Sequence, residues 1–288
     1  MKQISLFLFL GLILFSCTKE ELVTVSGNIA PNDTTVELAK IENYITRTYI
    51  LSIGREPDSS EFAWAKANLV DNQLSPASRQ TFLSAVFSNP DYLPHEYDLN
   101  KTNLLNAVDT SEFTGWIFIF DNALQDTTNQ AFWQIIQFEK DRMVLLRDAY
   151  SEFVGGTIST AELQRRMCNN YLYDQINMGS ANFVNYSFQN LINRNATISE
   201  LANGITMVEG NNSILFLQTG SSKVDFLNIL TNSSSYYEAQ VVFAYQRYLQ
   251  RTPNTLEMAD GTQTFQSTGD FIQVLKSILS TNEFIGIR

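Results

Sequence analysis

The chain has 288 residues, with 19 Lys and Arg against 30 Asp and Glu, a net charge of −11, one histidine and two cysteines. That length is enough to bury a sizeable core, as one large domain or two small ones. So acidic a surface repels polyanions, which excludes nucleic acid as a partner.

The chain opens MKQISLFLFLGLILFSCTKEE. Lys2 gives a positive start, and Ile4 to Phe15 carries no charge. The run falls well short of the ~20 residues a helix needs to cross a bilayer, so it reads as the core of a signal peptide. Leu14-Phe15-Ser16-Cys17 resembles a bacterial lipobox, with Phe15 where a small or β-branched residue is usual. The resemblance implies that residues 1–16 are removed and that Cys17 is lipidated; an ordinary cleaved signal with an incidental cysteine is the plainer alternative. Acyl chains contribute about 0.8 kcal/mol per buried methylene, and two hold a protein stably on a membrane. The stretch Cys17-Thr18-Lys19-Glu20-Glu21 is similar to the surface-export signal of Bacteroidetes lipoproteins. That similarity implies a lipid anchor in the outer membrane, with the protein on its outer face. A lipidated Cys17 leaves Cys168 without a disulfide partner, and Cys168 then reads as a small core residue.

Residues 17–36 lack helical periodicity and carry Ser, Gly, Pro, Asn and Asp, the composition of a flexible tether. From 37 to 288 the expected fold class is all-α. Leu38, Ile41, Ile45, Thr48 and Ser52 step by three and four, with Tyr44 and Tyr49 widening the stripe. Asp58 with Glu61, Asp109 with Glu112, Ser159 with Glu162, Thr197 with Glu200 and Asn254 with Glu257 have capping-box spacing. Ser75-Pro76 has the form of a cap followed by proline at the first helical position. The run GWIFIF at 115–120 reads as a buried helix face. A helix over about 128–154 carries Phe132, Ile135, Ile136, Glu139, Arg142, Met143, Leu146, Tyr150 and Phe153 on one stripe, and stops at Gly155-Gly156. The charged members of that stripe predict partial exposure. No Asn-Gly or Asp-Gly turn joins two alternating apolar runs, so strands are not expected.

Three stretches echo one another: REPDSSE from Arg55, RNATISE from Arg194 and RTPNTLE from Arg251. Six residues before each Arg stands an aromatic, Tyr49, Phe188 or Tyr245; ten before stands Ile45, Val184 or Val241. Each unit closes on an aromatic, Tyr92, Tyr236 or Phe284, with Val86, Leu230 or Ile278 six residues earlier. The spacing from Arg to closing aromatic varies, as loop insertion into a repeated helical unit produces. The units run over about 41–92, 182–237 and 239–286, with a helical insert over about 100–180. In each, the first helix ends near the Arg, the cap-x-x-Glu starts the second, and a third ends at the aromatic. The pairs Arg55–Glu61, Arg194–Glu200 and Arg251–Glu257 are candidate hinge-fixing or ligand-binding residues. GREPDSSEFAWA with FSNPDY, and YLQRTPNTLEMADG with LSTNEF, resemble the helical units of DUF4214-type proteins and of the C-terminal part of the DUF1549/DUF1553 proteins; the phycobilisome linker unit is distantly similar. The resemblance covers 41–92 and 182–284 and implies a helical interaction or surface module, with no catalytic residues to carry over.

Signatures of chemistry are sparse. His95, in YLPHEYD, is expected on a loop or surface, with a weak metal site of His95, Glu96 and Asp98 as the sharper alternative. One histidine and one free cysteine cannot build a zinc site of several His or Cys ligands. No G-x-S-x-G elbow, phosphate loop, dinucleotide fingerprint or EF-hand loop occurs, so no catalytic, metal or cofactor site is assigned. Glycosidic chemistry needs only two carboxylates, and thirty acidic residues give no way to single out a pair. Trp64, Trp116 and Trp133, with Tyr236, Tyr237, Tyr245 and Tyr248, read first as core and second as sugar-stacking or partner-anchoring residues. The expectation is a non-catalytic interaction or scaffold subunit with a protein partner; the alternative is a surface lipoprotein that binds or processes glycan.

Overall fold

The computed structural model describes residues 34–287, with side chains from Leu38. In chain order the α-helices are α1 (Thr34–Ile53), α2 (Ser59–Asp71), α3 (Pro76–Phe87), α4 (Tyr92–Leu105) and α5 (Ser111–Gln125). A 3-10 turn (Thr127–Phe132) leads into α6 (Trp133–Val154), α7 (Thr160–Cys168), α8 (Tyr171–Ile176), α9 (Ser180–Ile192) and α10 (Ile198–Val208). After a short hairpin of β1 (Ser213–Leu215) and β2 (Gln218–Gly220) come α11 (Lys223–Thr231), α12 (Ser234–Leu249), α13 (Thr255–Thr268), α14 (Phe271–Leu279) and α15 (Asn282–Ile285). The domain is all-α. Its α1 begins at Thr34, inside the stretch read as tether.

The boundaries have local causes. Asp58, Thr197 and Asn254 form complete capping boxes with Glu61, Glu200 and Glu257. Ser75 caps Ser78 ahead of Pro76, and Ser159 caps Glu162. Asp109 differs: it accepts from Ser111 N at 2.8 Å, while the cap position itself is Thr110, whose side chain makes no cap bond. The α6 helix stops at Gly155-Gly156, where Gly156 has φ +72°. The β-hairpin escaped the sequence reading because its turn is Phe216-Leu217, both at positive φ (48° and 63°), a conformation for which Asn-Gly is the usual signal.

The first, second and third units are α1–α3, α9–α11 and α12–α14. Within the second and third units, consecutive helices pack on one another. The closing aromatic belongs to the next helix and not to the end of the third: Tyr92 is the first residue of α4, and Tyr236 lies in the first turn of α12. The preceding residues fix this. Ser233 Oγ accepts from Tyr236 N, and Thr281 Oγ1 from Phe284 N, each at 3.2 Å, which starts a new helix under a buried ring.

The same step occurs a fourth time. Asn170 Oδ1 accepts from Tyr173 N at 2.9 Å, Tyr173 is fully buried, and buried Met167 lies six residues earlier. Upstream, α4 packs on α7 as α9 packs on α11 and α12 on α14. It also ends on a left-handed residue, Asn106, as α9 ends on Asn193 and α12 on Gln250. The segment read as an insert thus holds a degenerate fourth unit, α4 and α7, with the α5/α6 hairpin standing where the second helix would be.

The units associate in pairs. Ser52 Oγ and Tyr248 Oη, each three residues before a corner arginine, meet at 3.3 Å. Lys276 Nζ and Ser84 Oγ, each eight residues before a closing aromatic, meet at 3.0 Å. Equivalent positions touching one another is what an approximate twofold between the first and third units requires. Arg47 donates across it to Tyr248 O at 2.5 Å and Phe284 O at 3.2 Å, and Arg79 to Ser280 O at 2.8 Å. Likewise α7 packs against α11 of the second unit, with Tyr236 Oη donating to Gln164 Oε1 at 2.8 Å.

Candidate functional site

The three Arg–Glu corners share one geometry. Nη1 of Arg55, Arg194 and Arg251 lies 2.7 Å from an oxygen of Glu61, Glu200 and Glu257 respectively, and Nη2 lies 2.9, 2.7 and 2.7 Å from the other. Each Nη1 also donates at 3.0 Å to the carbonyl of the next residue. The same Glu accepts the cap amide of Asp58, Thr197 or Asn254 at 2.7, 2.8 or 2.7 Å. The aromatic six residues upstream has a place in this arrangement: Tyr49, Phe188 and Tyr245 lie under the guanidinium, 6.0, 5.2 and 5.1 Å from ring centroid to carbon. A stacked, bidentate arginine is held in one orientation.

A further carboxylate completes two of the corners. Asp91 Oδ2 takes Arg55 Nε at 2.9 Å, and Glu283 takes Arg251 Nε and Nη2 at 2.7 Å each. Asn89 adds an amide to Glu61 at 2.7 Å. Sequence reasoning missed these residues. Their signal was the acid directly before the closing aromatic, Asp91-Tyr92 and Glu283-Phe284; in the second unit that place holds Ser235.

The electrostatics make these groups poor acids or bases. The Arg194 guanidinium holds the Glu200 carboxyl down to about 2, and Arg55 and Arg251 hold Glu61 and Glu257 below the usual range. Hydrogen bonds donated to the carboxylates in turn raise Arg55 and Arg251. A carboxylate saturated by donors stays ionised at neutral pH and has no basicity to spare, so the corner is suited to fixing the turn rather than to proton transfer.

His95 lies within α4, half-buried, not on a loop. A Cβ at Gly54, which sits at φ +80°, would collide with its ring. Burial and the Arg247 charge lower its pKa. Among the described residues no three His, Cys, Asp or Glu side chains are grouped to hold a metal ion. Cys168 is fully buried, and desolvation pushes its thiol up to about 12.

The α5/α6 hairpin departs most from expectation. In 115–120 Ile117 and Phe120 are buried, but Phe118 is 66% and Ile119 49% exposed, because α5 meets α6 on one side only. Along α6, Arg142 is buried, against the partial exposure expected of it. It pairs with Glu139 and with Asp174 (3.0 Å), which also takes Lys223 (2.7 Å), and Phe138 lies 4.9 Å from its guanidinium carbon. Nearer the tip the stripe is uncovered: Phe132, Ile135 and Phe138 are 59%, 62% and 51% exposed. A shallow open groove beside it is lined by Leu124, Trp133, Gln134, Gln137, Phe138 and Asp141. Of the other aromatics named from sequence, Tyr236, Tyr245 and Tyr248 are core, Tyr237 is half-buried, Trp116 packs on Tyr171 at 4.4 Å, and Trp64 is 43% exposed.

Cys17, the leader 1–16 and residues 17–33 of the tether lie outside the described residues. No described helix is long and apolar enough to cross a membrane. Scans against protein-family models, curated proteins and solved structures each found no match. What fold and site define is an all-α protein of paired helical units, with locked ionic corners and several exposed apolar side chains on the α5/α6 hairpin.

Proposed function

We propose that this protein is a non-catalytic interaction or scaffold subunit, anchored by lipid at Cys17 to the outer membrane and displayed at the cell surface, with a protein partner seated on the α5/α6 hairpin. The observation that carries this reading is the exposure of four large apolar side chains on the α5/α6 hairpin, Phe118, Phe132, Ile135 and Phe138. Side chains of this size together expose on the order of a few hundred Å², the scale of patch that marks an interaction site. The net charge of −11 disfavours an anionic headgroup as its occupant. The lipobox-like start supports the anchor. Affinity capture from detergent-solubilised membranes tests it: wild-type protein retains a stoichiometric partner, and Phe118→Ser with Ile135→Ser loses it. Recovery of the wild-type protein alone at every expression level overturns the reading.

The groove beside the stripe favours a second reading, glycan binding. Trp133 and Phe138 offer faces for a sugar ring, and Gln134, Gln137 and Asp141 offer hydroxyl partners. Retention on immobilised polysaccharide that Trp133→Ala abolishes would support this reading over the first.

A further inference from the structure

The molecule contains its own comparison set: one corner built three times, with one difference. Around Arg55 and Arg251 the fork of Nη1 and Nη2 is taken by the Glu six residues on, and the Nε side by the acid preceding the closing aromatic. Around Arg194 the fork is equally taken by Glu200, at 2.7 Å from each nitrogen, with Phe188 stacked 5.2 Å away. On the Nε side the equivalent of Asp91 and Glu283 is Ser235, and Arg194 Nε donates to nothing among the described residues. Arg194 therefore presents a rigid two-donor edge, Nε with the outer hydrogen of Nη2, in the orientation that binds a carboxylate through two bonds of 2.7 Å at Arg251. The side chain is 39% exposed.

We infer that this Nε–Nη2 edge of Arg194 is a docking point for an Asp or Glu side chain of a partner protein. The inference rests on the interaction-subunit reading for its partner, while the edge itself rests on the three-corner comparison. Three points favour a single carboxylate over other anions. The edge is planar and bidentate, matching carboxylate geometry. Both sister corners hold a carboxylate there. One added negative charge gives this corner the same balance as the other two, whereas a polyanion would meet the whole acidic surface. Glu238, one turn along α12 from Ser235, is the local competitor: its charge reaches Arg194, but the two form no ion pair. Ile198, four residues after Arg194 in the chain, is 92% exposed.

The probe is acetate, added at constant ionic strength against chloride to the intact, 15N-labelled chain in detergent, with the arginine Nε–Hε resonances followed by NMR. The expected result is a progressive shift of Arg194 with acetate and not with chloride, while Arg55 and Arg251, already carboxylate-bound, stay in place. Ser235→Glu supplies the missing acid from within; it should abolish the Arg194 response and move that resonance toward the position of Arg251. A static Arg194, or three resonances moving alike, overturns the proposal. So does a response that appears only in Glu238→Gln, since Glu238 would then hold the edge in solution. The wild-type titration needs no variant to fold. Loss of the partner in affinity capture with an intact acetate response removes the interaction reading and leaves the edge.

Discussion

At the scale of single residues, the corner joins a helix cap to an ion pair. Exposed pairs contribute only ~0 to 1 kcal/mol and a cap about 1 kcal/mol, but here one Glu serves as both, so its removal takes both away. Glu61→Ala and Glu257→Ala are expected to cost ~1 to 2 kcal/mol each in urea unfolding, and neutral changes at Glu56 nothing measurable. The pH dependence has a fixed sign. A carboxylate with a lowered folded pKa contributes stability that is complete above its unfolded value and lost as pH falls through its folded value. For Glu200 that window runs from 4.5 down to about 2. Melting temperature should therefore fall across that interval, and the fall should shrink in a Glu61→Gln, Glu200→Gln, Glu257→Gln variant; an unchanged pH profile would contradict the assignment. Arg, Glu and the cap were legible in sequence because they lie within seven residues. Asp91 and Glu283 were not, since each reaches its arginine from more than thirty residues away, through the packing of a whole unit.

Element by element, the repeat is held by one crossing. A Cβ on Gly204 would lie 2.8 Å from Val184 Cγ1, and one on Gly261 would lie 2.9 Å from Val241 Cγ1. Both glycines stand ten residues after the corner Arg, facing the β-branched residue ten before it; Ala65 has that place in the first unit. A small residue there lets the two helices approach closely. Gly204→Val is expected to cost about 1 to 3 kcal/mol by overpacking, read as a lower urea midpoint, and unchanged stability would show the crossing to be loose. The spacing was present in the sequence but carries no hydrophobic signal, so a search for apolar periodicity passed over it. Periodicity also shows which side chains share a face and not what covers that face. That is why the helix was read over about 128–154, where α6 itself starts at Trp133, and why the exposure of Phe132, Ile135 and Tyr150 and the burial of Arg142 were not read. Phe118→Ser and Ile135→Ser, which leave no buried neighbour behind, should change stability by no more than about 0.5 kcal/mol.

For the molecule as a whole, the paired units meet through arginines that reach carbonyls and carboxylates of distant segments. Arg247 donates to Glu96 at 2.6 Å and to Leu51 O, tying the third unit to α1 and α4. Arg247→Met is expected to cost ~1.5 to 3 kcal/mol, the range for a hydrogen bond to a charged group, and to leave the local corner at Arg251 intact by NMR. The fourth unit was hidden because α4 and α7 lack the Arg and Glu that mark the others; the cap on Tyr173, buried Met167 and left-handed Asn106 survive. The hairpin that replaces its second helix packs on α4, α7 and α8 but leaves Phe118, Phe132, Ile135 and Phe138 exposed. Site-specific photo-crosslinking in the cell that makes the protein tests its role most directly, with p-benzoylphenylalanine placed at position 118 or 135 and, as control, at 56. A single discrete protein adduct from 118 and 135 and none from 56 is predicted. No adduct from the hairpin, or the same adducts from all three positions, would contradict it.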